Sequence, residues 1–476
     1  MAATIDIITA RKSKLTFQQQ KFIGMYFLAL LIAFSPSKEL GQFSVFIFLI
    51  GMIFIVNLRS QKHILIYIGV LLLYSFIGWI YFLLMPEFSF MNYYAYFVTA
   101  SAFLILFFDF KPIVNTTLLE RLSWVTAGFL FFEFGYGLIQ ALTGYFAAGT
   151  FDLGTGDIVK GTIEPGFTYP TGGSNVIFSL LMSTLILFMV SVSRRKLSFN
   201  YGVMILFALL VWIAASTLHT IILFGVAIFI ATITLGINLV NLISRSYKQL
   251  VRRRGEVITL ALSTFVFVGI SVWILFPKNL STVPVYLERI VDISESSYSG
   301  KSRAAYYTLF TLPIENPLVP FIGLGPGQYA SRASLIMSKE YLRIGIPLDA
   351  YISTATEHYI LIIYRSLPPG SGIINFPVSS WISIYGEIGF VGLLGVGYLI
   401  IKAIRAFRRL RSQEYQRMHW AMLSLVVYLF LLGYPDNYWE FTQAVFPALL
   451  LLKLCYLYLR KARDPYLLAA ETVTKV

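Results

Sequence analysis

Cysteine is nearly absent: the 476-residue chain has one, Cys455, inside an apolar run. A lone thiol excludes a disulfide framework and a thiolate metal site. Histidine is almost as scarce. His63, His219, His358 and His419 are scattered and show no ligand spacing such as HExxH. There is no Walker A sequence, and no GxGxxG opens a soluble βαβ unit, which disfavours an ATP-driven pump. Charge is sparse, at 13% of residues, and its acidic half is short: 23 Asp and Glu against 37 Lys and Arg, a net charge of +14. A basic balance can signal nucleic acid, but the apolar content points elsewhere. Hydrophobic residues make up 57% of the chain and mean hydropathy is +0.74, more apolar surface than a soluble core can use. The chain reads as a polytopic membrane protein whose excess basic residues face anionic lipid, with no nucleic-acid partner.

Long hydrophobic runs are what the chain has in abundance. A bilayer core of ~30 Å needs ~20 apolar residues per helix. The runs predict an all-α fold of about twelve transmembrane helices, at 22–35, 40–57, 64–84, 92–109, 122–145, 175–193, 201–216, 219–242, 257–276, 381–401, 418–434 and 441–459. Only Ser216-Thr217-Leu218 separates the seventh from the eighth. Basic clusters occupy alternate connectors, among them Arg194/Arg195/Lys196, Arg252/Arg253/Arg254 and Arg405/Arg408/Arg409/Arg411. By the positive-inside rule both termini are cytoplasmic. The first span lacks an A-x-A-like cleavage site and reads as a retained helix. The expected organisation is helices 1–9 over 1–276, with a medium outer loop at about 146–174, then a large extracytoplasmic loop at 277–380, helices 10–12 over 381–459, and a cytoplasmic tail over 460–476.

The two outer loops are where chemistry is expected. The medium loop has six glycines between Gly154 and Asn175, which allow tight turns and close backbone approach to a ligand. Lys160 and Glu164 stand there as a cation and a carboxylate beside the membrane surface; an ordinary turn-rich connector explains the same composition. The large loop carries an amphipathic run from Arg303 to Leu312, expected to be helical and to end at Pro313/Pro317. Gly323-Leu-Gly325-Pro-Gly327-Gln-Tyr329 follows and leads toward a helix from Tyr329 to about Tyr341. Its glycines can free backbone N–H groups to meet an anion, although such clusters usually only make turns. Arg289, Lys301, Arg303, Arg332, Arg343 and Arg365 also lie in this loop. Arg suits bidentate phosphate contacts, and nearby carboxylates offer it ordinary surface pairs instead. Glu387 sits about two turns inside the tenth span on a glycine-rich face; an intramembrane carboxylate is a functional candidate, or a structural hydrogen bond to the neighbouring loop. Glu133 in the fifth span has the same two readings, and His219 caps the outer end of the eighth.

Together these pieces resemble the O-antigen polymerase and O-antigen ligase superfamily of bacterial membrane glycosyltransferases. The order of motifs carries the likeness: Lys160, Gly161 and Glu164-Pro165 in the medium loop, Arg303 and then the Gly323–Tyr329 turn in the large one, and Ser379-Ser380-Trp381 with Gly386-Glu387 at the next span. Lys160 stands where the family usually has Arg. Ser379-Ser380 stands where ligases typically have His, which argues for a polymerase. Ser216-Thr-Leu-His219 replaces the Ser-Arg of many members. The resemblance implies a GT-C-like fold in the bacterial inner membrane and metal-independent, inverting transfer without a cofactor. The implied substrates are polyprenyl-diphosphate-linked oligosaccharides, and a chain-length regulator protein is a partner it admits. It further implies Lys160, Arg289, Arg303, Arg332, Gly325, Gly327 and Tyr329 as diphosphate or glycan contacts. Glu164 and His358 are the candidate bases, with Asn175, His219, Ser380 and Glu387 in support. Ligation to a lipid or protein acceptor is the alternative within the superfamily. A twelve-helix secondary transporter is the alternative outside it, although a six-plus-six architecture would place its long connector inside, after the sixth span.

Overall fold

The structure, a computed structural model, describes residues 15–36, 38–54, 61–148, 159–166, 174–192, 199–215, 218–235, 300–337, 353–364, 379–410, 415–434 and 437–463. All regular elements among them are helices. The first half comprises α1 (Phe17–Ala33), α2 (Lys38–Phe54), α3 (Gln61–Leu84), α4 (Phe90–Thr99) with a 3-10 turn at Ser101–Phe107, α5 (Thr116–Ala148), a 3-10 turn at Gly161–Ile163, α6 (Ser174–Val192), α7 (Phe199–Ala215) and α8 (Leu218–Leu235). Then come α9 (Gly300–Tyr306), a π turn (Tyr307–Thr311), α10 (Leu312–Glu315), α11 (Val319–Ile322), α12 (Arg332–Met337) and α13 (Thr354–Tyr364). The chain returns through α14 (Ser380–Arg409), α15 (Gln416–Leu432) and α16 (Thr442–Arg463).

A helix lies at every expected span except 257–276, which falls outside the described residues. Five helices are long and apolar enough to cross a membrane, or six if α4 and its 3-10 turn, bent by 58°, form one broken span. The other apolar helices are shorter, so the described residues support five or six crossings where the sequence predicts twelve. Side-chain exposure sorts these helices by position. In α6 83% of the best apolar window is buried, and in α3 only 11%. Leu72, Phe76, Trp79 and Leu83 of α3 are exposed. An apolar face of this size has no stable place in water, and a bilayer supplies its solvent. The chain is a membrane protein.

Long-range hydrogen bonds divide the helix ends into two groups. At one end Gln19 Nε2 donates to Ile113 O, Trp420 Nε1 to Thr232 Oγ1, and Arg463 to Arg409 O. The His419 ring lies 2.6 Å from Leu410 O at this end too. At the other end Thr162 Oγ1 donates to Phe34 O, Gln443 Nε2 to Ala33 O, Tyr81 OH to Ile322 O, and Thr354 to Glu87. Of the helices in these bonds, α1 and α16 have one end in each group.

Candidate functional site

The glycine-rich turn and the start of α14 form one hydrogen-bonded unit. Gly389 lies inside α14 with φ 66°, which breaks the helix. The carbonyls of Gly386 and Glu387 then accept the N–H groups of Leu324 and Gly325, each at 2.9 Å. Gly323, at φ 70°, needs its missing side chain: a Cβ there would fall 2.1 Å from the backbone carbon of Glu387. The Glu387 carboxylate, fully buried, accepts from the backbone N–H of Gly327, of Tyr329 at 3.2 Å and of Ser331 at 2.8 Å. The amide array that sequence reasoning offers to an anion is therefore met by a carboxylate of the chain itself, and Glu387 makes the structural bond that was one of its two readings. Tyr329 is also buried and its hydroxyl lies 2.7 Å from Thr308 Oγ1. Thr308 donates to Ala304 O, so Tyr329 donates to Thr308.

A second buried carboxylate continues the unit. Glu440, just ahead of α16, accepts from Arg332 N–H at 2.7 Å, Asn437 Nδ2 at 2.8 Å and Ser383 Oγ at 3.1 Å. Burial raises its pKa above the ordinary carboxylate range, and these donors oppose the rise. Ser380 Oγ donates to Asn437 Oδ1 at 3.0 Å. The Arg332 guanidinium sits 3.8 Å over the Phe441 ring and is almost wholly buried. Gly325, Gly327, Tyr329, Arg332, Ser380 and Glu387 are thus brought together, as the core of a scaffold.

The medium loop is held by a different set. Gln140 of α5 accepts from Lys160 N–H and Gly161 N–H through Oε1, and its Nε2 donates to the carbonyls of Gly161 and Glu164. Glu133 accepts the Thr162 N–H at 3.0 Å, and its other oxygen lies 2.5 Å from the Thr162 hydroxyl, for which it competes with Phe34 O. Lys160, 1% exposed, forms an ion pair with Glu164 at 2.9 Å. Asn175 begins α6 beside this turn; its Nδ2 is buried with no hydrogen-bond partner among the described residues. The two scaffolds share the end of α1, which gives Phe34 O to Thr162, and Ala33 O and Ser35 O to Gln443.

His358 and Tyr307 line a third feature, an open cleft of about 390 Å³. His358 stacks on Tyr307 at 4.6 Å between ring centres, and Tyr307 OH donates to Glu315 at 2.8 Å. Burial raises the Tyr307 pKa. Glu87, from the α3–α4 connector, accepts the N–H and hydroxyl of Thr354 at the start of α13. Arg303 is one helical turn before Tyr307; its Nε is buried and has no hydrogen-bond partner among the described residues. Among those residues no three His, Cys, Asp or Glu side chains converge as a metal-ligand set. Arg289 lies outside the described residues, as do Arg343 and Arg365, and the His219 side chain is likewise outside them.

Sequence reasoning missed Glu440, Gln140, Glu87 and Glu315. Gln140 had a signal, as a lone amide within an apolar span. Glu440 had another, the polar pair Asn437 and Glu440 immediately before the last span. The chain matches no protein-family model and no curated protein sequence.

Proposed function

We propose that this chain is a membrane glycosyltransferase that polymerises polyprenyl-diphosphate-linked oligosaccharides at the extracytoplasmic face. The observation that carries the reading is Arg303. It has a buried, unpartnered Nε–H one turn from the Tyr307–His358 wall of the cleft. A buried donor without a partner costs about 1–3 kcal/mol, and an anionic substrate group would repay it. Lys160 and Arg332 are already engaged within the protein, so Arg303 is the basic residue of the described set best placed for a diphosphate.

In the reaction the acceptor hydroxyl oxygen attacks the anomeric carbon of the donor sugar. The bond from that carbon to the phosphate oxygen breaks, and its electron pair leaves with the lipid diphosphate. Arg303 stabilises the charge that develops there. The hydroxyl proton passes to a base. His358 is exposed on the cleft and suits that role; Glu164 is tied to Lys160. Attack opposite the leaving group inverts the anomeric centre. The twelve-span architecture with both termini inside belongs to the same proposal, supported by the basic clusters in alternate connectors of the sequence.

Two experiments test this reading. Purified protein in detergent should lengthen a lipid-diphosphate oligosaccharide without ATP, an ion gradient or added divalent metal, with chelator present. Unchanged substrate, together with solute accumulation in sealed vesicles, would replace the enzyme by a transporter. Transfer only to an unrelated lipid or protein acceptor would replace the polymerase by a ligase. For orientation, Ile314 is strongly exposed and the lone Cys455 is buried. Ile314→Cys should therefore react with a membrane-impermeant maleimide in intact cells, and Arg409→Cys should not; the reverse pattern inverts the topology.

A further inference from the structure

The cleft beside His358 has a chemistry of its own. Its wall includes Glu87, Glu315, Asn316, Tyr307 and His358, and among the described lining residues there is no Lys or Arg. The two carboxylates come from separate connectors, one between α3 and α4 and one at the end of α10. Both are oriented by the protein. Each Glu87 oxygen accepts one bond from Thr354, and one Glu315 oxygen accepts from Tyr307. A carboxylate has about four lone-pair sites, so each keeps acceptor capacity toward the cleft. One face of the His358 ring is covered by Tyr307, while the residue as a whole is exposed.

Carboxylate acceptors beside a flat ring suit one class of small molecule. A pyranose donates several hydroxyl hydrogens to acceptors and lays its C–H face on an aromatic plane. A further negative charge on the ligand would be repelled by the two carboxylates that line the cleft. We infer that the cleft between the α3–α4 connector, α10 and α13 is a pyranose subsite that takes an uncharged sugar, N-acylated or not, and rejects a uronate. Resting on the polymerase reading, it is the seat of the acceptor terminal sugar, its hydroxyl within reach of His358. The inference adds two residues, Glu87 and Glu315, as determinants of which sugar can be extended.

Sugar binding can be measured apart from turnover. Full-length protein in lipid nanodiscs would be titrated with methyl glucoside, methyl N-acetylglucosaminide and methyl glucuronide, followed by saturation-transfer NMR. The two neutral glycosides should bind saturably, and the glucuronide at least about fivefold more weakly. Glu315→Ala, at an exposed position, should weaken neutral binding about tenfold. The double variant Glu87→Gln/Glu315→Gln keeps hydrogen-bonding groups and removes the charge, so it should narrow the penalty on the glucuronide. Glucuronide binding as tight as neutral binding would overturn the inference. So would absence of saturable neutral binding, or no response to Glu315→Ala. If the glycosides bind in this pattern while no lipid-linked glycan is ever elongated, the polymerase reading fails and the sugar site stands. Elongation without the pattern rejects the site alone.

Discussion

Two loops are pinned by buried polar residues, and they are pinned differently. Residues 323–332 lie in a cradle of two carboxylates and two backbone carbonyls. Glu387 takes three of their amides, Glu440 takes a fourth, and the broken α14 helix supplies two carbonyls. Residues 159–166 are held mainly by side chains of a continuous helix, Gln140 and Glu133, and they keep an internal ion pair between Lys160 and Glu164. In the first arrangement backbone meets backbone at Leu324 and Gly325, and two fully buried carboxylates hold the rest. In the second a side chain can swing and the helix stays whole. A turn rich in glycine is thus no anion site by composition; what its amides face decides, and here they face Glu387.

The largest way to break this comparison is Glu387→Ala. It would orphan three buried amides, a loss of about 3 kcal/mol or more. Thermal unfolding in detergent should show a drop well beyond that of Glu133→Ala, which orphans one amide and leaves the Thr162 hydroxyl on Phe34 O. Glu387→Gln should recover part of the loss, since one acceptor oxygen remains.

Next in size is Gly323→Ala. Its Cβ would meet the Glu387 backbone, whereas at Gly161 the Cβ would meet the Phe178 ring at 2.2 Å and Glu133 Oε2 at 2.4 Å, groups that can shift. Both positions have positive φ. Gly323→Ala should cost about 2–3 kcal/mol and exceed Gly161→Ala. Equal losses would mean the two cradles are equally rigid. Glu133→Ala should cost about 1–2 kcal/mol and expose the 159–166 segment to added protease; unchanged cleavage would show that Gln140 suffices.

The smallest expected effect concerns pH. Burial raises the Glu440 pKa above its unfolded value, so the folded state favours the protonated form. That contribution is complete below the unfolded pKa and is lost as pH rises through the folded pKa. The wild-type unfolding temperature should fall over that rise, and Glu440→Gln should flatten the slope. An unchanged slope assigns the pH dependence elsewhere.

The helices were legible because apolar runs of about 17–25 residues have few other uses. The bend between α4 and its 3-10 turn was hidden, since hydropathy does not register a change of direction. In the large loop the amphipathic run is expected to end at Pro313/Pro317, and the helical turns end at Glu315, just before Pro317, rather than at Pro313. Pro313 sits in the first turn of α10, where a missing N–H costs nothing. The helix expected from Tyr329 begins at Arg332, because Glu387 holds the amides of Tyr329 and Ser331 out of helical pairing. That partner lies 56 residues away from Ser331 in sequence, beyond the reach of local pattern. Lys160 beside Glu164 was visible as a pair of charges; that Gln140 would seat them was not.

The central claim is that Arg303 meets the leaving diphosphate, and polymer length tests it most directly. Wild-type, Arg303→Lys and Arg303→Ala proteins would be compared at equal membrane abundance for the length of glycan they make. Arg303→Ala should yield no polymer, and Arg303→Lys a partial product, since an ammonium supplies the charge without the planar fork. Wild-type polymer length from Arg303→Ala would contradict the account and remove Arg303 from the site.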